Sequence, residues 1–377
     1  MLYPEALAVD RHTATVGSRR DLRNRLMAGA VVALAGVFVV YLLAARTRWG
    51  QDFENAALVG ARDHRTSGWY GDADRWLNRL TAESFGASLA VIAVVGLLRR
   101  RLALALCGVL VAGGTVIAAR FLKGALPSRP VFGTGTADAG QGAHAAVAKG
   151  AANAAAHAAG AAAAAAHAVT AGVAAGATTA AGHAAAAVHT VHTVHAALAP
   201  DRAPNTLPSG HAAAAMGLVV GALIVVSRRW YVPVVALTLP GAAFAGVATV
   251  AADWHRVSDT VAADLLALAV GLLGMAGVTQ LGLVRPGPSV GQSSLSQRLL
   301  YAVLLSIATA ALAVGAAYFV RYHGAVSETV RADAAYWSAQ ALALGAAVTA
   351  AGVMLGVCRN LESVGHRPPR GLTIQAP

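Results

Sequence analysis

Apolar runs of membrane-spanning length alternate with short arginine clusters along most of the chain. Eight of them read as helical spans, at about residues 26–45, 84–98, 102–122, 210–227, 231–252, 260–284, 299–320 and 335–357. About 20 apolar residues in helix cross the hydrocarbon core of a bilayer, so the second span is short. The pattern predicts an all-α, polytopic membrane helical bundle: a six-helix core with a C-terminal helical hairpin. Four segments follow from it: a polar N-terminal tail at 1–25, a membrane core at 26–285, an insert at 131–204 within that core, and the hairpin with its tail at 286–377.

The arginine clusters set the expected orientation. Arg19, Arg20, Arg23 and Arg25 precede the first span, Arg99, Arg100 and Arg101 separate the second and third, and Arg228 and Arg229 separate the fourth and fifth. Arg285 and Arg298 bracket the next inner loop, and Arg359, Arg367 and Arg370 follow the last span. One topology puts them all on the cytoplasmic side, with both termini, and it leaves Lys123, His211, His255 and Asp259 outside. The first outer loop, 46–83, holds Trp49, Trp69, Tyr70 and Trp76 among charged residues, the make-up of an interfacial helix or cap, with a gating lid as the alternative.

The insert is nearly all Ala, Gly, His and Thr and offers little large apolar surface to bury, so marginal helix or disorder is expected there. A ninth crossing in it would put His211 and Lys123 on opposite sides. His189, His192 and His195 lie in this insert with no carboxylate or cysteine beside them, which reads as biased composition ahead of weak metal or proton binding.

Composition narrows the class further. The chain is 57% hydrophobic and 12% charged with mean hydropathy +0.58, which excludes an ordinary soluble core. The net charge of +12 does not point to nucleic acid, because the arginines sit at the ends of apolar runs and not on one amphipathic face. Cys107 and Cys358 stand far apart in apolar runs and suit neither a disulfide framework nor a zinc site. The polar stretch from Met1 to Arg25 is unlike a cleavable signal peptide.

Candidate chemistry is confined to three places. Lys123 ends the third span, six residues before Arg129 and Pro130; an ammonium and a guanidinium at a helix end suit a phosphate dianion. Pro208, Ser209, Gly210 and His211 open the fourth span, where first-turn N–H groups favour an anion and His211 would stand beside it. His255 and Asp259 are four apart, so the carboxylate can hold one ring nitrogen and leave the other as a nucleophile. Singly, these read as snorkelling cations, a helix start and a solvated loop pair; together on one face they point to a site.

In this order and at helix ends, the three motifs resemble the type 2 phosphatidic acid phosphatase superfamily of membrane lipid phosphatases, over roughly residues 84–285. The resemblance implies that His255 attacks phosphorus to form a phosphohistidine, that Asp259 orients it, and that His211 protonates the leaving oxygen. Lys123, Arg129 and the backbone of Ser209 and Gly210 would bind the nonbridging oxygens, and no metal or cofactor is implied. The chain departs from the family pattern in three ways. The spacing from Lys123 to Arg129 is one residue short, Ala248 and Thr249 stand where members carry Ser-Arg, and the insert separates the first two motifs. Arg256, or less favourably Arg202, is the candidate for the missing cation. The expected function is hydrolysis of a lipid phosphate or diphosphate at an extracytoplasmic site in the cell membrane. Polyprenyl diphosphate, such as undecaprenyl diphosphate, is the first candidate substrate, with phosphatidate or phosphatidylglycerol phosphate next. The alternative is a non-catalytic scaffold or transporter that retains the fold.

Overall fold

The computed structural model describes residues 4–130, 202–203, 205–286 and 294–363. Ten helices carry these residues: α1 (Pro4–Val40), α2 (Arg48–Asp63), α3 (Gly68–Leu77), α4 (Ala82–Leu98), α5 (Leu102–Ala125), α6 (Gly210–Val225), α7 (Tyr231–Ala251), α8 (Val257–Gln280), α9 (Leu295–Gly324) and α10 (Glu328–Arg359). Two short antiparallel strand pairs accompany them, β1 (Arg129–Pro130) with β2 (Arg202–Ala203) and β3 (Val284–Pro286) with β4 (Leu361–Ser363). Residues Met1–Lys123 and Thr206–Pro377 form one compact unit, and Gly124–Asn205 a second, in which Arg129 pairs with Ala203 and Pro130 with Arg202. Most of the Ala- and His-rich insert, including His189, His192 and His195, lies outside the described residues.

Six helical segments are long and apolar enough to cross a membrane: Arg19–Ala45, Leu102–Ala125, Arg228–Ala251, Val257–Gln280, Leu295–Gly324 and Glu328–Arg359. The chain is therefore a multi-pass membrane protein. The two weakest expected spans differ from the rest. Helix α4 follows α3 after a 65° bend, and the two reach the length and hydropathy of a span only when taken together, as a broken span or a re-entrant loop. Helix α6 has only 16 residues, about 24 Å of rise, and stops where Val226 turns to extended backbone ahead of Ser227 and Arg228. At the other extreme, the polar segment expected as a tail is helical from Pro4 and runs unbroken into the first span.

Serine and threonine start most of these helices. Thr47, Ser67, Thr81, Ser209, Ser294 and Ser327 each accept a hydrogen bond from an N–H of the first turn, satisfying a donor that the helix cannot. Arg100, at φ 52°, makes the left-handed corner that reverses the chain between α4 and α5.

Small residues let the spans approach closely. A Cβ on Gly221 of α6 would lie 2.5 Å from the Gly108 carbonyl oxygen of α5, and one on Gly108 would lie 2.7 Å from that of Gly221. Gly217 meets Ala112 one turn further along, so the antiparallel α5 and α6 are locked with the Lys123 end of one beside the His211 end of the other. Met216, Val220 and Leu223 of α6, Leu239 of α7, Leu268 and Leu272 of α8 and Met354 of α10 fill the buried core. Helix α10 packs on α2, α6, α7 and α8 as well as on α9, so the C-terminal hairpin belongs to the same compact unit as the helices that carry His211 and His255. The loop expected as a cap is two helices: α2 lies against α10, and α3 buries Ala73 and Leu77 against Ala248, Ala251 and Ala252.

Candidate active site

The turn between α7 and α8 is built by its own backbone. The Thr249 carbonyl accepts the N–H groups of both Trp254 and His255 at 3.0 Å, while Asp253 takes a left-handed φ of 58°. Asp253 is held there by Arg62 and Arg65 of α2 and its C-terminal loop, at 3.0 and 3.1 Å. The Thr249 side chain is buried; it donates to the Gly246 carbonyl and meets the Thr260 hydroxyl at 3.2 Å. Where the resembling family carries an arginine, this chain therefore uses a small hydroxyl to join α7 to α8.

His255 and Asp259 come together as expected. His255 Nδ1 lies 3.2 Å from Asp259 Oδ2, which also accepts the Arg256 N–H at 3.2 Å and so caps α8. Asp259 is fully buried and the His255 side chain is 12% exposed. With Nδ1 donating to the carboxylate, the ring's other nitrogen, Nε2, carries the lone pair.

The Pro-Ser-Gly-His segment is tied to the same aspartate. Ser209 N–H donates to the Asp259 carbonyl at 2.8 Å, and the Ser209 hydroxyl accepts from Ala212 N at 3.4 Å. Ser209 was expected to bind phosphate through its backbone; that N–H is instead committed to joining the two motifs, and its hydroxyl caps α6. Gly210 opens the helix, and a Cβ there would meet nothing within 4 Å. Open space thus adjoins the first turn, where helix dipole and backbone donors favour an anion. The His211 ring packs edge-on against Trp254, the residue before His255, at 5.3 Å between centroids. Lys123, at the end of α5, lies within the electrostatic field of Asp259.

No family model, no curated protein and no solved structure matches this chain. The site is therefore argued from its own geometry.

One expected cation is engaged elsewhere. Arg256, favoured as the replacement phosphate binder, directs its guanidinium to α2: Nη2 donates to Asn55 Oδ1 at 3.0 Å, and Nε lies 3.8 Å from Glu54 Oε2. The reason is the burial of Glu54, 2% exposed, whose carboxylate needs a compensating charge. Arg129 is buried and belongs to the Gly124–Asn205 unit, while the side chain of Arg202 lies outside the described residues. The structure thus gathers Lys123, Ser209, Gly210, His211, His255 and Asp259 in one unit.

Three supporting residues, Glu54, Asp74 and Trp254, escaped the sequence reading. Glu54 Oε1 accepts the Ser258 N–H at 3.1 Å, so one carboxylate holds both the residue before α8 and its second residue. Asp74 of α3 accepts from Trp254 Nε1 at 2.9 Å and fixes the ring that packs on His211. All three lie in or against the outer-loop helices, and the only hint in the sequence is a tryptophan directly before His255. Among the described residues, no three His, Cys, Asp or Glu side chains converge as a metal site.

Proposed function

We propose that this chain is a membrane lipid phosphatase of the type 2 phosphatidic acid phosphatase kind, working through a phosphohistidine. The observation that carries the reading is the doubly used Asp259: its carboxylate holds His255 Nδ1 and its carbonyl holds Ser209, the cap of the helix that bears His211. In this reading His255 Nε2 attacks phosphorus, and the bond to the leaving oxygen breaks as His211 gives that oxygen its proton. Water then attacks the phosphohistidine, His211 takes the water's proton, and inorganic phosphate leaves. Lys123 and the first turn of α6 stabilise charge on the nonbridging oxygens, which is most of what phosphoryl transfer requires. The positive-inside pattern favours an extracytoplasmic site with both termini in the cytoplasm and eight spans in all, α6 and the bent α3–α4 pair included. An outward-facing site suits a polyprenyl diphosphate first, then phosphatidate or phosphatidylglycerol phosphate.

The test is phosphate release from polyprenyl diphosphate and phosphatidate by purified protein in chelator, with trapping of an acid-labile, base-stable phosphoenzyme. His255→Ala should abolish both, and His211→Ala should slow turnover by about 10²–10⁴-fold. Equal rates in wild type and both variants would overturn the reading. A second reading, a non-catalytic scaffold of the same fold, is favoured by one observation: Arg256 is engaged by Glu54 and Asn55, and no arginine stands at 248 or 249. Binding of the lipid phosphates without turnover would select it.

A further inference from the structure

The end of the bundle away from His211 and His255 carries a charged cavity. Helix α6 runs from Gly210 at the candidate active site to Leu223 and Ile224 in the cavity wall, about 20 Å of rise. The cavity measures about 480 Å³. Arg99 and Arg101, from the corner between α4 and α5, line one part of it, and Ser227, Arg228 and Arg229, from the corner between α6 and α7, line another. Leu104, Leu223 and Met275 give it an apolar side, and none of the described residues that line it is acidic.

The four guanidinium groups have no acidic counterpart among the described residues. None of them forms an ion pair with an acidic side chain among the described residues. Arg228 is fixed by donating from Nε to the Arg359 carbonyl at 2.9 Å, and its own carbonyl accepts from Gln297 Nε2 at 2.8 Å. Arg99 Nη1 and Ser227 Oγ are buried with no hydrogen-bond partner among the described residues. Burial, with Arg101 and Arg229 close by, holds the Arg99 guanidinium below the ordinary arginine value, so positive charge is crowded there. Arginines that only mark topology have no need of a cavity or of buried, unmatched donors; an anion filling the space would answer both. Leu97, Leu98, Leu102 and Leu106, on either side of Arg99 and Arg101, are 58%, 79%, 65% and 60% exposed. An apolar outer face thus runs up to the mouth of the charge cluster.

We propose that this cavity binds the phosphate group of an anionic membrane phospholipid, with Arg99, Arg101 and Arg229 as its ligands, Ser227 as a further hydrogen-bonding group, and the acyl chains along the leucine-rich face of α4 and α5. Guanidinium forks match phosphate oxygens, and an apolar wall beside them favours a lipid over a free ion. The proposal does not depend on the phosphatase reading and places no chemistry at the cavity.

The test uses the full chain purified in an uncharged detergent and titrated with fluorescent short-chain phosphatidylglycerol, phosphatidylcholine as the neutral control, and inorganic phosphate as competitor. Saturable phosphatidylglycerol binding is expected, weakened about fivefold per arginine in Arg99→Gln, Arg101→Gln or Arg229→Gln and on the order of a hundredfold in the triple variant. Arg20→Gln, the same charge change at an exposed arginine outside the cavity, should stay within about twofold. Ser227→Phe fills the space without altering charge and should weaken binding as well, which keeps the test valid if the triple variant does not fold. Displacement by millimolar phosphate as readily as by lipid would assign the pocket to free phosphate and overturn the lipid proposal. Equal affinity in the cavity variants and Arg20→Gln would overturn the site itself.

Discussion

Removing the Glu54 carboxylate is the most searching perturbation, because one buried side chain on an outer-loop helix holds the turn that carries His255. Glu54 is 2% exposed, accepts the buried Ser258 N–H at 3.1 Å and stands 3.8 Å from Arg256, whose side chain is 21% exposed. Glu54→Ala removes a charged acceptor, a loss of about 1.5–3 kcal/mol, and takes a counter-charge from a partly screened arginine, which adds less than the roughly 3–5 kcal/mol of a fully buried pair. The expected sum is about 2–4 kcal/mol, because the two terms share one side chain and do not add in full. Tryptophan fluorescence during thermal unfolding in detergent should show the melting temperature falling by roughly 5 °C. Phosphate release should fall further than stability, on the order of 10²-fold, because a displaced α8 N-terminus shifts His255 by a fraction of its reach. Glu54→Gln retains the acceptor and should recover most of the turnover, at a cost of about 1 kcal/mol. Wild-type stability and turnover in Glu54→Ala would refute the anchoring argument. Identical defects in Gln and Ala would mean that charge alone, and not the bond to Ser258, is what matters.

Other consequences can be checked on the same preparation. Gly210→Ala meets no atom within 4 Å, so the melting temperature should hold or rise by a degree or two, while phosphate release falls because the methyl group takes the space beside the first turn. Trp254→Phe keeps the ring against His211 but loses the 2.9 Å bond to Asp74; about 1 kcal/mol of stability should go, with turnover falling less than in Trp254→Ala. Gly221→Leu places a side chain where a Cβ alone would lie 2.5 Å from the Gly108 carbonyl oxygen. It should destabilise by about 1–3 kcal/mol and, by parting α5 from α6, raise KM for the lipid phosphate through displacement of Lys123. Deleting residues 135–198 should leave turnover within about threefold, since every residue of the proposed site lies outside that stretch and closing a shorter loop costs little.

Sequence periodicity located the six long apolar helices, for a physical reason: a bilayer demands long apolar runs, and arginine clusters mark where they end. It was weakest where a helix is shortened by a cap, as in α6, or bent against its neighbour, as in α4. The His255 and Asp259 pair was legible because the two stand only four residues apart across the start of α8, where a first-turn carboxylate turns back to cap the helix and meets the residue just before it. The role of Arg256 was not, since adjacency to His255 says nothing about which way the side chain points. The deciding partner, Glu54, is 202 positions away in a loop that reads as amphipathic surface. Ser209 shows the same limit from the other side: as part of an anion-binding motif its N–H looks available, yet the fold commits it to the Asp259 carbonyl.

That commitment changes how the site must work if the phosphatase reading holds. Asp259 touches His255 through its carboxylate, caps α8 through Arg256 N–H, and ties α6 through its carbonyl. Replacing it with asparagine would preserve the backbone tie, since the carbonyl is unchanged, and would alter only the charge facing the ring. Asp259→Asn should therefore leave His211 in place and keep most of the stability, while turnover falls by several orders of magnitude because the imidazole loses both its fixed tautomer and the charge that steadies it on phosphorylation. A backbone tie that matters would appear elsewhere, in Ser209→Pro, which removes the donor and should unseat α6 even with every candidate catalytic side chain intact. Finding Asp259→Asn as destabilised as Ser209→Pro would mean that the carboxylate, and not the carbonyl, holds the two motifs together.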